Sequence, residues 1–67
     1  MIQIYLNGEE RQIPDDTSMT SLVELLGLSG RRIAVEVNDE LVPRSAFSEY
    51  YLKPRDKVEI VHAIGGG

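Results

Sequence analysis

An alternating segment followed by a tight-turn dipeptide constrains the start of this chain to a β-hairpin. One side of an extended backbone would carry the apolar residues Ile2, Ile4 and Leu6. This two-residue period is typical of a strand with one buried face. Asn7-Gly8 follows directly and suits the positive φ angles of a two-residue hairpin turn. We therefore predict a second strand over residues 9–13, which Pro14 ends.

A segment with helical spacing comes next. Its apolar residues recur every three to four positions, at Met19, Leu22, Val23 and Leu26. Ser18 is the predicted N-cap, and Ser21 with Glu24 also fits a capping box, which leaves the helix start open by one turn. Gly27 or Gly30 ends the helix, because glycine adopts the left-handed conformation without a Cβ penalty.

The rest of the chain predicts three more strands. Alternation over residues 33–37 indicates the third, and Asn38-Asp39 supplies the turn into a short fourth strand at Leu41-Val42. That strand should lie at a sheet edge, because Pro43 has no N–H for a further ladder bond. A fifth strand is predicted from Val58 to Ile64, with Val58 and Ile60 on one face and Glu59, Val61 and Ala63 on the other.

Residues 44–56 show no sustained period. We predict a loop with a single helical turn, anchored by the apolar and aromatic residues Phe47, Tyr50, Tyr51 and Leu52. Lys53-Pro54-Arg55-Asp56 should close this loop as a turn before the last strand.

The predicted order is β-β-α-β-β with a final strand that runs into a glycine tail. One helix on one face of a small mixed sheet would bury all the apolar sets, which places the chain in the α+β class. If the first and last strands are both central, they must run parallel, as in the ubiquitin-like β-grasp fold. The pattern itself leaves that pairing open. We expect a β-grasp domain over residues 1–64 and a flexible tail over residues 65–67.

Size and composition exclude several classes of protein. The 67 residues leave room for one small core and make a large internal active site improbable. Without cysteine, disulfides, thiolate catalysis and the common zinc motifs are excluded, and we expect no bound metal. A net charge of −4 argues against nucleic acid as a partner. No basic leader or apolar span suggests a membrane, so we expect a cytoplasmic, soluble protein.

The end of the chain, Gly65-Gly66-Gly67, is its most unusual stretch. Glycine loses the most conformational freedom on ordering, so three together favour a thin, flexible segment. Fully extended, residues 64–67 would reach about 13 Å beyond the last strand at roughly 3.3 Å per residue. We expect this tail to enter a narrow channel in another protein, where a side chain would clash.

Two segments carry a family resemblance: Val37-Asn38-Asp39-Glu40-Leu41-Val42-Pro43-Arg44, and the final run from Val58 to Gly67. Together they resemble the ThiS family, the sulfur carriers of thiamine biosynthesis. The resemblance implies that an E1-like adenylyltransferase of the ThiF type, using ATP and Mg, adenylates Gly67. A sulfur donor enzyme would then supply the sulfur of a C-terminal thiocarboxylate. Thiazole synthase of the ThiG type would receive that sulfur. The chain departs from many relatives in having Arg55-Asp56 where they have Gly-Asp.

The chain lacks the machinery for this activation. A C-terminal carboxylate is ionised at neutral pH and is a poor electrophile. No glycine-rich phosphate loop of the G-x-x-x-x-G-K-[ST] kind is present to bind ATP. We therefore expect a substrate of other enzymes, with no catalytic residue and no bound cofactor. Gly65 and Gly66 would lead Gly67 into those active sites, and Val61, Ala63 and Ile64 would form an apolar docking patch.

Two alternatives stay open. A sulfur carrier for molybdopterin or for an amino acid pathway would have the same tail chemistry, although the short length and the V-N-x-x-x-V-P-R run favour thiamine. A β-grasp binding module with an incidental tail belongs to a different class. For the single histidine, His62, a position facing solvent or packed at the sheet is favoured over a role as base or ligand.

Deleting Gly66 and Gly67 should leave the melting temperature unchanged, because the tail is expected to make no core contacts. Thermal unfolding of the truncated and full-length proteins measures this. A large drop on truncation would show that the tail is structural.

Overall fold

The computed structural model of the protein describes residues 1–63, and its centre is a five-stranded mixed sheet. The regular elements are β1 (Ile2–Leu6), β2 (Glu9–Ile13), α1 (Met19–Leu25), β3 (Ile33–Val37), β4 (Glu40–Val42), a 3-10 helix (Arg44–Glu49) and β5 (Lys57–His62). The strand order is β2-β1-β5-β3-β4. β1 and β5 are parallel neighbours, whereas the other pairs are antiparallel. The parallel central pair, which the sequence pattern left open, is thus present, and the predicted edge position of β4 is confirmed.

Both predicted hairpin turns are present. Asn7 and Gly8 have φ angles of 50° and 86°, and Asn38 and Asp39 have 53° and 70°. Positive φ at both central residues defines a type I′ turn, whose twist matches that of the flanking strands. Asparagine and aspartate tolerate this region better than most residues, which explains why they occupy these positions.

The two ends of α1 settle the alternatives left open by the sequence. The hydroxyl of Ser18 accepts a hydrogen bond from the Ser21 N–H at 3.1 Å, so Ser18 is the N-cap and the later start is wrong. At the other end Gly27 has a φ of 74° and its N–H donates to the Glu24 carbonyl. The Leu28 N–H reaches the Val23 carbonyl, which completes a Schellman motif. Gly27, not Gly30, therefore ends the helix.

One hydrophobic core fills the space between α1 and the sheet. Its largest fully buried side chains are Ile4, Ile13, Met19, Leu22, Val35, Val37 and Val58. The long connection after β4 closes the core with Phe47 and Leu52, both buried. No helix within the described residues is long and apolar enough to cross a bilayer.

Two details differ from the prediction. Tyr51 does not anchor the loop through its side chain, which is 55% exposed. The backbone of Tyr51 forms a β-bridge with Ser18, and neighbouring residues of an extended chain point to opposite sides. Leu52, the next residue, therefore points into the core instead.

Strand β5 ends at His62 rather than at Ile64, because β3 begins at Ile33, the residue opposite His62. Ile64 and the tail residues Gly65, Gly66 and Gly67 lie outside the described part of the chain.

The turn before β5 has arginine, not glycine, at a position with left-handed backbone. Arg55 has a φ of 70°, and its N–H donates to the Gln3 carbonyl at 2.6 Å. Asp56 is buried and its carboxylate accepts from the Lys53 N–H at 2.8 Å and from Asn38 Nδ2 at 3.1 Å. The aspartate therefore fixes the turn, and Arg55 bears the backbone strain.

Replacing Arg55 with glycine should stabilise the protein. Left-handed backbone costs an L-residue about 1–2 kcal/mol, and the greater freedom of unfolded glycine offsets about half of that. We expect a gain of about 0.5 kcal/mol, or roughly 2–4 °C in melting temperature for a domain of this size. Arg55→Ala is the matched control, because it removes the same side chain but keeps Cβ. Equal melting temperatures for the two variants would show that Arg55 is unstrained.

Candidate functional site

Strand β5 carries the chain towards the glycine tail and is held on both sides. On one side β3 pairs with it antiparallel as far as His62, and the Ala63 N–H donates to the Arg32 carbonyl at 2.9 Å. On the other side β1 pairs with it only over Lys57 and Val58. The last described residue, Ala63, is therefore still bonded to the sheet.

The side chain of Asn7 extends the shorter, parallel pairing. Its backbone N–H donates to the Val58 carbonyl at 2.9 Å. Its Oδ1 then accepts from the Ile60 N–H at 2.9 Å, and its Nδ2 donates to the Ile60 carbonyl at 3.2 Å. A primary amide has one donor and one acceptor group like those of a peptide bond. The side-chain amide of Asn7 therefore takes the place of a backbone peptide group in the ladder beyond the point where β1 ends in the hairpin turn.

Sequence reasoning used Asn7 only as a turn residue and missed this second role. The position of Asn7 at the end of β1 was the one hint of this role in the sequence. The contact itself joins residues 53 positions apart, so it can be recognised only once the fold is known. Its consequence is that β5 is braced at Ile60, close to the point where the chain leaves the sheet.

The predicted alternation along β5 is confirmed. Val58 and Ile60 are buried against the core, whereas Glu59, Val61 and Ala63 are exposed on the outer face, the side of the sheet turned away from α1. Val61 is 59% exposed. The proposed docking residues Val61 and Ala63 are therefore accessible, while Ile64 lies outside the described residues.

The outer face is more apolar than the sequence indicated. Ala34 lies opposite Val61 on β3 and is half-buried. Leu41 lies opposite Glu36 on the edge strand and is 66% exposed. Sequence reasoning treated Leu41 only as a strand residue, because its face depends on the register of β3 with β4.

The other residues considered as functional candidates lie apart from the outer face or have structural roles. His62 is exposed, which is one of the two positions expected for it. Burial raises the pKa of Tyr50, and the negative charges of Asp56 and Glu40 raise it further, so its phenol stays neutral in the physiological range. Gly65, Gly66 and Gly67, the residues with the predicted chemistry, lie outside the described chain.

Asn7→Asp should destabilise the protein by about 1–2 kcal/mol, because it removes the donor to Ile60 and places a carboxylate against that carbonyl. The two side chains have nearly the same shape, and both tolerate the turn. Urea unfolding measures the loss. Gln12→Glu, an exposed change on β2 that adds the same charge, is the control. Equal free energies of unfolding for the two variants would contradict the bracing role of Asn7.

Known proteins resemble this chain over almost its whole length. The sequence profile of the ThiS family matches residues 4–67. The sulfur carrier protein ThiS of Bacillus subtilis (strain 168) is 34% identical over 65 residues, covering 96% of this chain and 98% of that protein. A thiazole synthase of Paramagnetospirillum magneticum is 39% identical over 66 residues, which is 98% of this chain. This chain spans only 20% of that longer protein.

A solved structure agrees with the fold. The crystal structure of the thiamine biosynthesis protein ThiS from Geobacter metallireducens superposes with a TM-score of 0.86 and 28% identity, and the match covers 98% of this chain and 100% of that one. The expected β-grasp fold, which the strand pattern allowed and the family resemblance implied, is thereby confirmed. With a family profile matched through residue 67 and this shared topology, the chain belongs to the ThiS family.

Proposed function

We propose that this protein is a sulfur carrier that delivers sulfur for the thiazole ring of thiamine, with Gly67 as the attachment point. The observation that supports this most strongly is the family match, which runs from residue 4 through Gly67 and so includes the whole glycine tail. Gly65 and Gly66 would serve as the narrow lead that enters the partner enzymes.

The chemistry requires two steps at the tail. The Gly67 carboxylate attacks the α-phosphorus of ATP in an E1-like adenylyltransferase, giving an acyl adenylate and pyrophosphate. A sulfide-level nucleophile from a sulfur donor enzyme then attacks the acyl carbon and expels AMP, which leaves a thiocarboxylate. The first step is needed because the free carboxylate is anionic and a poor electrophile. ATP and Mg would be bound by the partner, and we propose a cytoplasmic location because both are available there.

The interior of the domain supports a role as substrate rather than enzyme. Within residues 1–63 the buried polar side chains are Thr17 and Asp56. Thr17 donates to the Pro14 carbonyl, and Asp56 accepts from the Lys53 N–H. Both are therefore committed to turns. We propose that the folded body positions the tail and is recognised by enzymes that carry out the chemistry.

Thiazole synthase is the proposed acceptor of the sulfur. A protein of that name contains a segment 39% identical to nearly the whole of this chain. A carrier-like domain within such a polypeptide is expected if the two activities act in sequence, because covalent linkage raises the effective concentration of each for the other. This favours thiazole formation over a molybdopterin or amino acid pathway, and over a binding module with an incidental tail.

Incubation with an E1-like adenylyltransferase, ATP and a sulfur donor should increase the intact mass by one oxygen-to-sulfur exchange. Fragmentation should locate this exchange at Gly67. A variant extended by one residue beyond Gly67 is the control and should stay unmodified, because it lacks the carboxylate at that position. Absence of the exchange with several such enzymes, together with full biological activity of the extended variant, would contradict the carrier function.

A further inference from the structure

The turn between β1 and β2 contains a dipeptide that can react with itself. Asparagine is a thermolabile residue, because a backbone nitrogen can attack its side-chain amide. In Asn7-Gly8 that nitrogen belongs to a residue without Cβ, so no side chain hinders its approach. Both residues are exposed, and water, the second reactant, therefore has access to them.

The reaction needs no enzyme. The Gly8 nitrogen loses its proton and forms a bond to Cγ of Asn7. The bond from Cγ to Nδ2 breaks, and Nδ2 leaves with that proton as ammonia, which gives a five-membered succinimide. Water then opens the ring. Addition of water at Cγ gives aspartate, and addition at the main-chain carbonyl gives isoaspartate, in which the main chain runs through Cβ and Cγ.

The backbone of the folded turn opposes the first step. Asn7 and Gly8 are the central residues of a type I′ turn, with φ angles of 50° and 86°. In such a turn ψ of the first central residue is about 30°. For an L-residue this ψ places the following nitrogen nearly opposite Cβ across the Cα–C bond, whereas the succinimide ring needs both on the same side. Ring closure therefore requires the turn to open.

The side chain of Asn7 is fixed on the neighbouring strand. Its Oδ1 accepts from the Ile60 N–H at 2.9 Å, and its Nδ2 donates to the Ile60 carbonyl at 3.2 Å. Turning the amide towards the Gly8 nitrogen breaks both hydrogen bonds. The contact that braces β5 therefore also protects Asn7 from attack.

The second hairpin provides an internal comparison. Asn38-Asp39-Glu40 forms the same turn as Asn7-Gly8-Glu9, with φ angles of 53° and 70° at its central residues. Asn38 is also bonded to β5, because its Oδ1 accepts from the Lys57 N–H at 3.0 Å. The nitrogen that follows Asn38 belongs to an aspartate, however, whose Cβ hinders the attack. The two asparagines share a structural environment and differ in chemical lability.

We propose that Asn7-Gly8 is a site of spontaneous deamidation that the fold protects, and that its conversion is a one-way switch that loosens β5. When the turn opens, the Gly8 nitrogen attacks, and refolding does not restore the brace. Aspartate has no donor for the Ile60 carbonyl, and isoaspartate adds one main-chain atom to a two-residue turn. The switch involves the folded body alone and does not depend on the chemistry of the tail.

The first test compares the rate of deamidation in the folded and the unfolded chain. The full-length protein is incubated at mildly alkaline pH, in buffer and in urea above its unfolding midpoint. Intact mass and peptide fragmentation follow the amide-to-acid conversion. We expect conversion of Asn7 to be at least roughly tenfold slower in buffer than in urea, because the turn must open first. In urea Asn38 should convert much more slowly than Asn7.

Two results of this comparison would contradict the proposal. Equal rates for Asn7 in buffer and in urea would show that the fold gives no protection. Absence of conversion at Asn7 in urea would show that the dipeptide is not a site of deamidation.

Gly8→Asp is the matched variant, because it gives the first turn the sequence of the second. A Cβ at Gly8 meets no atom within 4 Å, and Asp39 already occupies this conformation. We expect the variant to fold and, in urea, to deamidate at Asn7 about as slowly as at Asn38. Conversion as fast as in the wild type would show that the Gly8 nitrogen is not the attacking group, which would overturn the site.

The second test measures what the conversion does to the fold. The extra negative charge separates the deamidated protein from the starting protein by ion exchange. Its melting temperature should be lower by roughly 4 °C or more, because both products lose the donor to the Ile60 carbonyl. The Gly8→Asp protein, incubated in the same way, should keep its initial melting temperature. An unchanged melting temperature of the deamidated wild type would overturn the switch.

Discussion

The parallel pairing of β1 with β5 is the interaction on which the rest of the structure depends. It joins the first strand to the last one and places both in the middle of the sheet. Only Tyr5 with Lys57 and Leu6 with Val58 form this ladder, so its short length is extended by other groups. Before the ladder along β5, the Tyr5 N–H donates to the Asp56 carbonyl. After the ladder, the side-chain amide of Asn7 bonds the backbone of Ile60. The strand that leads to the tail is thereby fixed to the core of the domain.

Local features of the sequence predicted most of the elements. Asn-Gly and Asn-Asp located both hairpins because few residues tolerate positive φ, and Ser18 located the helix start because its hydroxyl can satisfy an unpaired N–H. Alternation along β5 identified Val61 and Ala63 as exposed. The proposed sulfur chemistry of Gly67 came from the family resemblance and not from periodicity or composition.

What the sequence did not predict depends on contacts between distant segments. The brace from Asn7 to Ile60 and the opposition of Glu36 and Glu59 both require a known strand register. The outward side chain of Tyr51 depends on the backbone bridge that its loop makes with Ser18. None of these can be read from neighbours along the chain, because each is set by how separate strands align.

The two faces of the sheet divide the tasks of the domain. The inner face buries Val58 and Ile60 and maintains the fold, while the outer face carries exposed apolar residues and exposed acidic side chains on the strands that include the one leading to the tail. The proposed carrier function would use this division, because partner enzymes could then recognise the body while its core stays intact.

The most direct test of the account is whether sulfur from this tail enters a thiazole ring. The protein would be converted to its thiocarboxylate with a heavy sulfur isotope and supplied as the only sulfur source to purified thiazole synthase in a single turnover. The account predicts a labelled thiazole product and a carrier returned to its carboxylate form. An unlabelled product, or retention of the label on the protein while the synthase accepts another carrier, would contradict it.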